Sequence, residues 1–200
     1  LPVEEVKKRV RPGDPVTLVQ PFRVLGDLAT GKCLDNRAAC WVGVRLLQLL
    51  DKTAYDVHVA FTVQEEVGIR GARACAYRVN PDIGIAVDVT LAVDTPGMPK
   101  EEGITDLGKG VAIKVMDSGS ISDRGLVDAF IETAQNNDIP YQLEILPLGG
   151  TDAAGIQLPR GGVKVITLSV PCRYVHTVTE TLHYGDLQGC VDLLRAYLSP

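Results

Sequence analysis

Apolar and polar residues alternate with a period of two along residues 55–64, YDVHVAFTVQ. This alternation predicts a β-strand with one apolar side, because successive side chains of a strand point to opposite faces of a sheet. The apolar side carries Tyr55, Val57, Val59, Phe61 and Val63. Shorter apolar runs predict four further strands, at residues 82–90, 110–116, 141–146 and 163–170.

Three other segments place apolar residues at the spacing of a helix. One of them opens with Ser122 and Asp123, residue types that cap helix N-termini. The last has a single apolar stripe, formed by Leu187, Val191, Leu194 and Tyr197. The predicted helices cover residues 36–50, 122–136 and 185–198. Because helices and strands alternate, we predict an α/β protein in which helices cover a largely buried sheet.

The N-terminal part of the chain has a different pattern. The stretch VRPGDPVTLVQPFRVLGDLATGKCL consists of short extended runs between prolines and glycines and carries no helix signal. We therefore interpret residues 1–30 as the end of a small β element and residues 31–200 as the main domain.

Composition and charge narrow the class of protein. The 200 residues are 46% hydrophobic and 22% charged, with a formal net charge of -5 and no block of Lys or Arg. We therefore expect neither a nucleic acid nor an anionic membrane as partner. No apolar run approaches the ~20 residues of a membrane span, and the polar N-terminus does not resemble a secretory leader. The absence of an initiating Met suggests processing or a segment of a longer protein.

The cysteine pattern indicates free thiols. There are five, an odd number, and no two form a CxxC pair; they are Cys33, Cys40, Cys75, Cys172 and Cys190. Most lie among apolar residues, so we expect buried free thiols in a reducing cytoplasm rather than disulfides or a thiolate metal site.

Carboxylates and an imidazole recur at the ends of predicted elements. Asp35 precedes the first predicted helix, Glu65 and Glu66 end the long strand, Asp88 ends IGIAVD, and His176 follows the last strand. In open α/β sheets such ends line the crevice where ligands bind. Carboxylates with histidine and without thiolate suit Zn²⁺, Co²⁺ or Mn²⁺, so the sequence predicts a metal site there.

Each of these residues alone also has an ordinary structural interpretation. Asp35 fits a helix N-cap, Asp88 fits a strand-end acid, and His176 fits a partly buried histidine. Their shared placement is what favours the metal site. His58 and His183 do not share it, because one lies within a predicted strand and the other in a connecting segment.

The adjacent glutamates have two interpretations. Glu65 and Glu66 are typical of a solvated edge, but at a strand end that turns into VGIRG both side chains can border one cleft. One carboxylate would then bind metal, while its neighbour takes a proton from a water that the metal acidifies and delivers it to a leaving amine. Without metal, one of the two should titrate at raised pH.

Several motifs occur in a consistent order: LDNRAAC, FTVQEEVGIRGA, VDVT, LGKGVAIKVMDSGSISD, LGGTDAAGIQLPRGGV and VPCRYVHTVTE. Together they resemble, from Val16 to the C-terminus, the catalytic domain of the M42 family of metallo-aminopeptidases. That family includes the tetrahedral and glutamyl aminopeptidases, some of them labelled endoglucanases. The resemblance implies a three-layer α/β/α sandwich with a mixed, largely parallel sheet. It also implies that residues 1–30 close an inserted β domain that supports dimers and larger assemblies.

The resemblance also implies roles for the acids and the histidine. Asp35 would bridge two divalent ions, Zn or Co and possibly Mn. Glu66 and His176 would be ligands of one ion and Asp88 of the other, with Glu65 as general base. The implied reaction removes the N-terminal residue of a peptide that has a free α-amine.

The run GGTDA would lie against the same site. Gly150, Thr151 and Asp152 would help to shape the substrate pocket. A cytoplasmic homo-oligomer is the expected form of the full-length protein.

One part of the family pattern is absent. The family's first ligand is the histidine of a His-x-Asp motif upstream of the inserted domain, and this chain contains no such motif. The ion beside Asp88 therefore lacks its histidine. HTVTE also departs from the proline-containing run that often follows His176. We accordingly expect a segment of a longer protein.

Two alternatives remain open from the sequence. A carboxypeptidase or deacylase would use a similar pair of ions and an arginine that binds a free carboxylate, for which Arg70 and Arg173 are candidates. An inactive truncated subunit would bind one ion and serve only in assembly. The missing histidine favours this second alternative, and the presence of Glu65 disfavours it.

Overall fold

The computed structural model describes residues 1–200 and has seven strands in one mixed sheet. The strands are β1 (Arg23–Leu25), β2 (Leu28–Gly31), β3 (Ile83–Leu91), β4 (Val111–Asp117), β5 (Tyr141–Leu146), β6 (Lys164–Arg173) and β7 (Glu180–His183). The helices are α1 (Val3–Lys7), α2 (Leu34–Leu49), α3 (Arg70–Val79), α4 (Arg124–Asn136), α5 (Ala153–Ile156) and α6 (Tyr184–Leu198), with a 3₁₀ turn at Lys100–Glu102. None of the helices is both long and apolar enough to cross a membrane.

The sheet is organised around β6. The parallel pairs β3–β6 and β4–β5 are the longest, with nine and six residues in register. β3 lies along almost all of β6, while β4 and β7 pair antiparallel with successive parts of the opposite edge. β2 extends the sheet from β7, and β1 extends it from β2. The sheet is therefore open, mixed and α/β in class, as the sequence predicted.

Two layers of helices cover the sheet. The larger core lies between one face and the helices α2, α4 and α6. Phe130 and Leu168 are completely buried there, and burial of such a side chain contributes about 1.5–3 kcal/mol. On the opposite face α3 packs against α5, above a small cluster of Ala86, Ala153 and Val165. These layers confirm the predicted three-layer sandwich.

Most predicted elements are present. The strands at 82–90, 110–116, 141–146 and 163–170 correspond to β3, β4, β5 and β6, and the three predicted helices correspond to α2, α4 and α6. Asp123 caps α4, because its side chain accepts a hydrogen bond from the N–H of Leu126 at 3.1 Å. The stripe of α6 is buried at Leu187, Val191 and Leu194.

The strand predicted at residues 55–64 is wrong for this chain. The segment forms no strand, and its side chains are exposed or half-buried. A strand requires a hydrogen-bonded neighbour, and no other part of the chain supplies one. His58 accordingly lies in an irregular segment rather than in a strand.

The cysteines are all free, as predicted, but only two are buried. Cys172 and Cys190 lie in the core, Cys75 is half-buried, and Cys33 and Cys40 are exposed. The prediction of general burial was wrong because Cys40, although its sequence neighbours are apolar, lines an open cavity and is exposed.

Candidate metal centre

Three loops bring a carboxylate, a second carboxylate and an imidazole together. Asp35 lies at the start of α2, Glu66 in the turn after residues 55–64, and His176 between β6 and β7. The Nε2 atom of His176 is 3.1 Å from Oδ2 of Asp35 and 3.2 Å from Oε2 of Glu66. One ligand atom from each residue lies within 4.8 Å of the others.

Asp35 is free to face this cluster because its neighbour caps the helix. The side chain of Asn36 accepts a hydrogen bond from the N–H of Ala39 at 3.2 Å and donates one to the carbonyl of Val87 at 3.1 Å. Asp35 and Asn36 have non-helical backbone angles, and the peptide bond between them is cis. The side chain that caps α2 is therefore that of Asn36 and not, as the sequence also allowed, that of Asp35.

A buried glutamate fixes two of the three loops. The carboxylate of Glu180, at the start of β7, accepts hydrogen bonds from the N–H of Asp35 at 3.0 Å and from the N–H of His176 at 3.1 Å. Its residue is only 3% exposed. Such charge-assisted bonds are stronger than neutral ones, so Glu180 positions the backbone of both residues. The sequence analysis did not identify Glu180, although it lies four residues after His176 at the end of VHTVTE.

Two residues of the site region have a left-handed backbone. Gln64, next to Glu65, has φ 63°, and His176 has φ 64°. This region is uncommon for residues with a side chain and is found preferentially at functional sites. The backbone at both positions is therefore held by the surrounding structure.

The acids of the site repel one another. Burial, followed by the charge of Glu66, raises the pKa of Asp35 to about 6, and the nearby His176 opposes this rise. Burial also raises the pKa of Glu65 to about 7, with further contributions from Glu66, Asp152 and Asp35. A cation is the component that would offset this repulsion.

Asp88 lies apart from the three-residue cluster. β3 continues three residues beyond it, so Asp88 is within the strand rather than at its end. Its carboxylate accepts a hydrogen bond from the N–H of Val89 at 2.8 Å. Burial, followed by the charge of Asp35, raises the pKa of Asp88 well above its usual range. The charge of Asp35 thus acts on Asp88, but the carboxylate of Asp88 is not part of the group formed by Asp35, Glu66 and His176.

The GGTDA run lies beside Glu65, with different roles for its side chains. Asp152 accepts a hydrogen bond from the hydroxyl of Thr62 and lines the same cavity as Glu65. Thr151 is buried and its hydroxyl is hydrogen-bonded to that of Thr167 at 2.9 Å. Gly150 is exposed, with open space where a Cβ would lie.

The cluster fits a divalent ion. Metal–oxygen and metal–nitrogen bonds to zinc are about 2.0–2.2 Å long, which is compatible with ligand atoms separated by the observed 3.1 and 3.2 Å. The donor set of two carboxylates and one imidazole suits Zn²⁺, Co²⁺ and Mn²⁺ alike. The side chains of Glu66 and His176 are 58% and 67% exposed, so an ion there could also reach solvent.

Comparison with known proteins places the chain in a family. The family of M42 glutamyl aminopeptidases matches residues 2–193. A relative from Acetivibrio thermocellus is 44% identical over 191 residues, which are 96% of this chain and 57% of the relative. A lysyl aminopeptidase from Pyrococcus furiosus is 35% identical over 168 residues, 82% of this chain and 46% of that protein. The chain spans about half the length of the curated relatives it matches.

Solved structures agree with this placement. An aminopeptidase from the archaeon Desulfurococcus kamchatkensis has a TM-score of 0.96 and 38% identity, covering 98% of this chain and 56% of that one. The TET1 peptidase of Pyrococcus horikoshii, which can assemble into a tetrahedron or a large octahedral shell, has a TM-score of 0.82 and 32% identity. The match covers 98% of this chain and 58% of the TET1 peptidase. On the family match, the sequence relatives and these structures, the chain belongs to the M42 peptidase family.

Proposed function

We propose that this chain forms most of the catalytic domain of a metal-dependent aminopeptidase. The observation that carries the proposal is the arrangement of Asp35, Glu66 and His176 around one point, with Glu65 adjacent to Glu66 and outside this group of ligand atoms. Membership of the M42 family agrees with it.

In the proposed reaction a metal ion acts as Lewis acid and a protein side chain acts as general base. A divalent ion held by Asp35, Glu66 and His176 would supply Lewis-acid activation of water and of the scissile carbonyl. Glu65 would accept a proton from the attacking water and transfer it to the departing amine. Burial and the neighbouring acids raise the pKa of Glu65 to about 7, which brings it close to the value suited to a general base at neutral pH.

A second ion is part of the proposal. Asp35 would bridge the two ions and Asp88 would bind the second, while the remaining ligand would come from outside these 200 residues. The electrostatic coupling between Asp35 and Asp88 supports this placement. Zinc, cobalt and manganese are all compatible with the donor set.

The substrate would be a peptide with a free N-terminus. Asp152 and Gly150 border the site from the GGTDA run and would help to shape the pocket, whereas the hydroxyl of Thr151 is already bonded to Thr167. Thr151 would therefore act by holding the loop in place.

The structure disfavours one arginine as a binder of substrate carboxylate. The guanidinium of Arg173 donates hydrogen bonds to both carboxylate oxygens of Asp94, at 2.6 and 2.9 Å. An Arg engaged in this way is not available to a substrate. Of the candidates for a carboxypeptidase or deacylase, only the exposed Arg70 remains.

We also propose that the whole protein assembles with copies of itself in the cytoplasm. β1 lies at the edge of the sheet with all three residues exposed, and exposed strand edges pair readily with other chains. The assembly of the Pyrococcus horikoshii relative agrees with this. Five free cysteines are compatible with a reducing compartment.

Elemental analysis after dialysis against trace zinc, combined with two substrates, tests the proposal. We expect at least one ion per chain, and cleavage of an aminoacyl anilide with a free amine but no cleavage of its N-acetylated form. Cleavage of only the acetylated form would identify a deacylase instead. One bound ion with no turnover would support the subunit that serves only in assembly, and no bound ion would refute the metal site.

A further inference from the structure

Residues 62–71, which we call the glutamate turn, carry Glu65 on a backbone that closes on itself. The carbonyl of Glu65 accepts hydrogen bonds from the N–H of Gly68 at 3.1 Å and from the N–H of Ile69 at 2.9 Å. These bonds fix the local shape of the turn. They do not fix its place on the rest of the molecule, which depends on contacts with other elements.

The first such contact is a hydrogen bond between two side chains. The hydroxyl of Thr62 donates to Oδ2 of Asp152, and both residues line the cavity that Glu65 also lines. Oδ1 of Asp152 is buried without a partner, so the bond from Thr62 is the only hydrogen bond of this carboxyl group. Burial raises the pKa of Asp152 and the bond from Thr62 lowers it, so the bond favours the ionised carboxylate. Thr62 thereby joins the start of the glutamate turn to Asp152.

The second contact leaves no room for a side chain at position 155. A Cβ on Gly155 would lie 2.6 Å from Cγ2 of Ile69 and 3.3 Å from the carbonyl oxygen of the same residue. Ile69 has φ 56°, a left-handed conformation that is a genuine outlier for a β-branched residue. Such conformations persist where the surrounding structure holds them. The close packing on α5 therefore helps to hold the end of the glutamate turn.

α5 is itself fixed to the central strands. Ala153 is 1% exposed and packs in the small cluster that contains Ala86 of β3. A Cβ on Gly84, also in β3, would lie 2.4 Å from Cγ2 of Ile156. The helix is thus in direct contact with the backbone of β3, and it offers the glutamate turn a support that belongs to the core of the molecule.

From these contacts we propose that α5, with Asp152 just before it, holds Glu65 in place for catalysis. Asp152 and Gly155 are positioning residues, which act on Glu65 through Thr62 and Ile69 rather than on the substrate. This role goes beyond the contribution of Asp152 to the shape of the pocket, and it rests on the proposed function of Glu65 as general base. A base must lie within hydrogen-bond reach of the proton that it accepts, and a misplacement of about 1 Å can reduce the rate by about 10²-fold.

Gly155→Ala tests the close contact in the full-length protein. Turnover is measured at saturating zinc, because Glu66 lies in the same turn. We expect kcat to fall by about 10²-fold and KM to stay within about twofold, since substrate binding is retained. Adding Ile69→Ala removes Cγ2 and should recover at least about 10-fold of the lost kcat. The matched control is Gly161→Ala, where a Cβ would meet nothing within 4 Å, and kcat should not change.

A pair of threonine variants tests the hydrogen bond. Thr62→Val removes the hydroxyl while keeping the shape of the side chain, and kcat should fall by at least about 10-fold with KM unchanged. Thr62→Ser keeps the hydroxyl and should retain most of the activity. This pair decides the proposal if Gly155→Ala does not fold.

Hydrogen exchange tests the positioning without a measurement of activity. The amides of Gly68 and Ile69 bond to the carbonyl of Glu65, so their protection reports the order of the glutamate turn. In Thr62→Val these amides should exchange at least about 10-fold faster than in the unchanged protein. The amides of α6 serve as the folding control and should keep their protection.

Two results would overturn the proposal. Unchanged exchange of Gly68 and Ile69 in Thr62→Val would show that Asp152 does not hold the turn. A raised KM with unchanged kcat would show that these side chains act on the substrate instead. Failure of the proposed function is a separate outcome: an active Glu65→Gln variant would refute the general base, while hydrogen exchange would still decide whether Asp152 and α5 hold the turn.

Discussion

Two groups of acidic residues in this molecule differ in whether a lysine side chain of the chain lies among them. In the open group Asp35, Glu66 and Glu65 lie together, and the nearest basic side chain is His176. In a second group, which consists of buried residues of β4 and β5, Lys114 lies between two carboxyl groups. Its Nζ is 3.1 Å from Glu144 and 3.6 Å from Asp117.

The buried group contains its own cation, Lys114. Lys114 and Glu144 are completely buried, and Asp117 is 3% exposed. The hydroxyl of Thr90 donates to Glu144. Oδ1 of Asp117 accepts bonds from Gly119 and from both the N–H and the hydroxyl of Ser120. Each acid therefore has donors for one oxygen and an ion pair with Lys114, while Oδ2 of Asp117, Oε2 of Glu144 and Nζ of Lys114 are buried without a hydrogen-bond partner.

The open group has acids without such partners. The pKa values of Asp35 and Glu65 are raised because burial and the repulsion of neighbouring acids are not offset by a resident cation. Acids whose cation is part of the chain hold the fold together, and acids that lack one are candidates for binding a cation from solution. The difference predicts that changes in the two groups affect different measurements.

The largest expected effect is on catalysis. Glu65→Gln removes the proposed base while keeping the size of the side chain, so kcat should fall by about 10²–10⁴-fold. Metal content, measured by elemental analysis, should remain that of the unchanged protein. Activity that survives the substitution would show that Glu65 is not the base.

Lys114→Met should mainly affect stability. Removal of the one cation leaves Glu144 and Asp117 buried without it, which should lower the free energy of unfolding by about 3–5 kcal/mol. Urea unfolding followed by circular dichroism measures this change. The matched control is Lys109→Met at an exposed lysine, which should change little.

A second variant separates charge from packing in the buried group. Lys114→Met combined with Glu144→Leu removes both partners of the closer ion pair, and should recover part of the lost stability. A double variant as unstable as the single one would mean that the cost comes from packing rather than from uncompensated charge.

Glu180→Gln should have an intermediate effect that links the fold to the site. Gln keeps one acceptor but loses the charge that binds the N–H groups of Asp35 and His176. Substitution of a residue that orients metal ligands typically weakens metal binding by about 10–100-fold. Competition with a chelator measures the metal affinity. Glu132→Gln, at an exposed glutamate of α4, is the control and should leave metal affinity unchanged.

The sequence predicted secondary structure correctly where an element and the elements that it packs on both lie within this chain. β4, β5, β6, α4 and α6 were predicted because each carries its own periodicity and packs on elements present in the chain. The strand at residues 55–64 has an equally clear pattern, but pairing also requires a neighbour. α3 was missed because its only fully buried side chains are two alanines, Ala72 and Ala76, which give little hydrophobic signal.

The site shows a similar division. Asp35, Glu66 and His176 were grouped correctly from their places at element ends, since the ends of neighbouring elements meet at one edge of the sheet. Asp88 was placed at a strand end, yet β3 continues to Leu91. Glu180 acts on the backbone of two loops distant in sequence, a role that no local pattern of residue types encodes.

The smallest expected effect is the pH dependence of stability in the metal-free protein. The pKa of Glu65 is about 7 in the folded state, above its ordinary value of 4.5. The folded state therefore binds more protons than the unfolded state between these two values, and stability should decrease as pH rises from 4.5 to 7. Asp35, with a pKa of about 6 against 3.8, contributes in the same direction between those values.

A comparison with Glu65→Gln isolates the contribution of this residue. The free energy of unfolding of the unchanged protein, relative to the variant, should fall between pH 4.5 and 7 and be constant above pH 7. Saturating zinc should remove most of this fall, because the cation stabilises the ionised carboxylates. A ¹³C titration of the side-chain carboxyl groups provides the direct measurement. Ordinary titration of both Glu65 and Glu66, unchanged by zinc, would mean that the open group is a solvated edge and that the contrast with the buried group has no bearing on function.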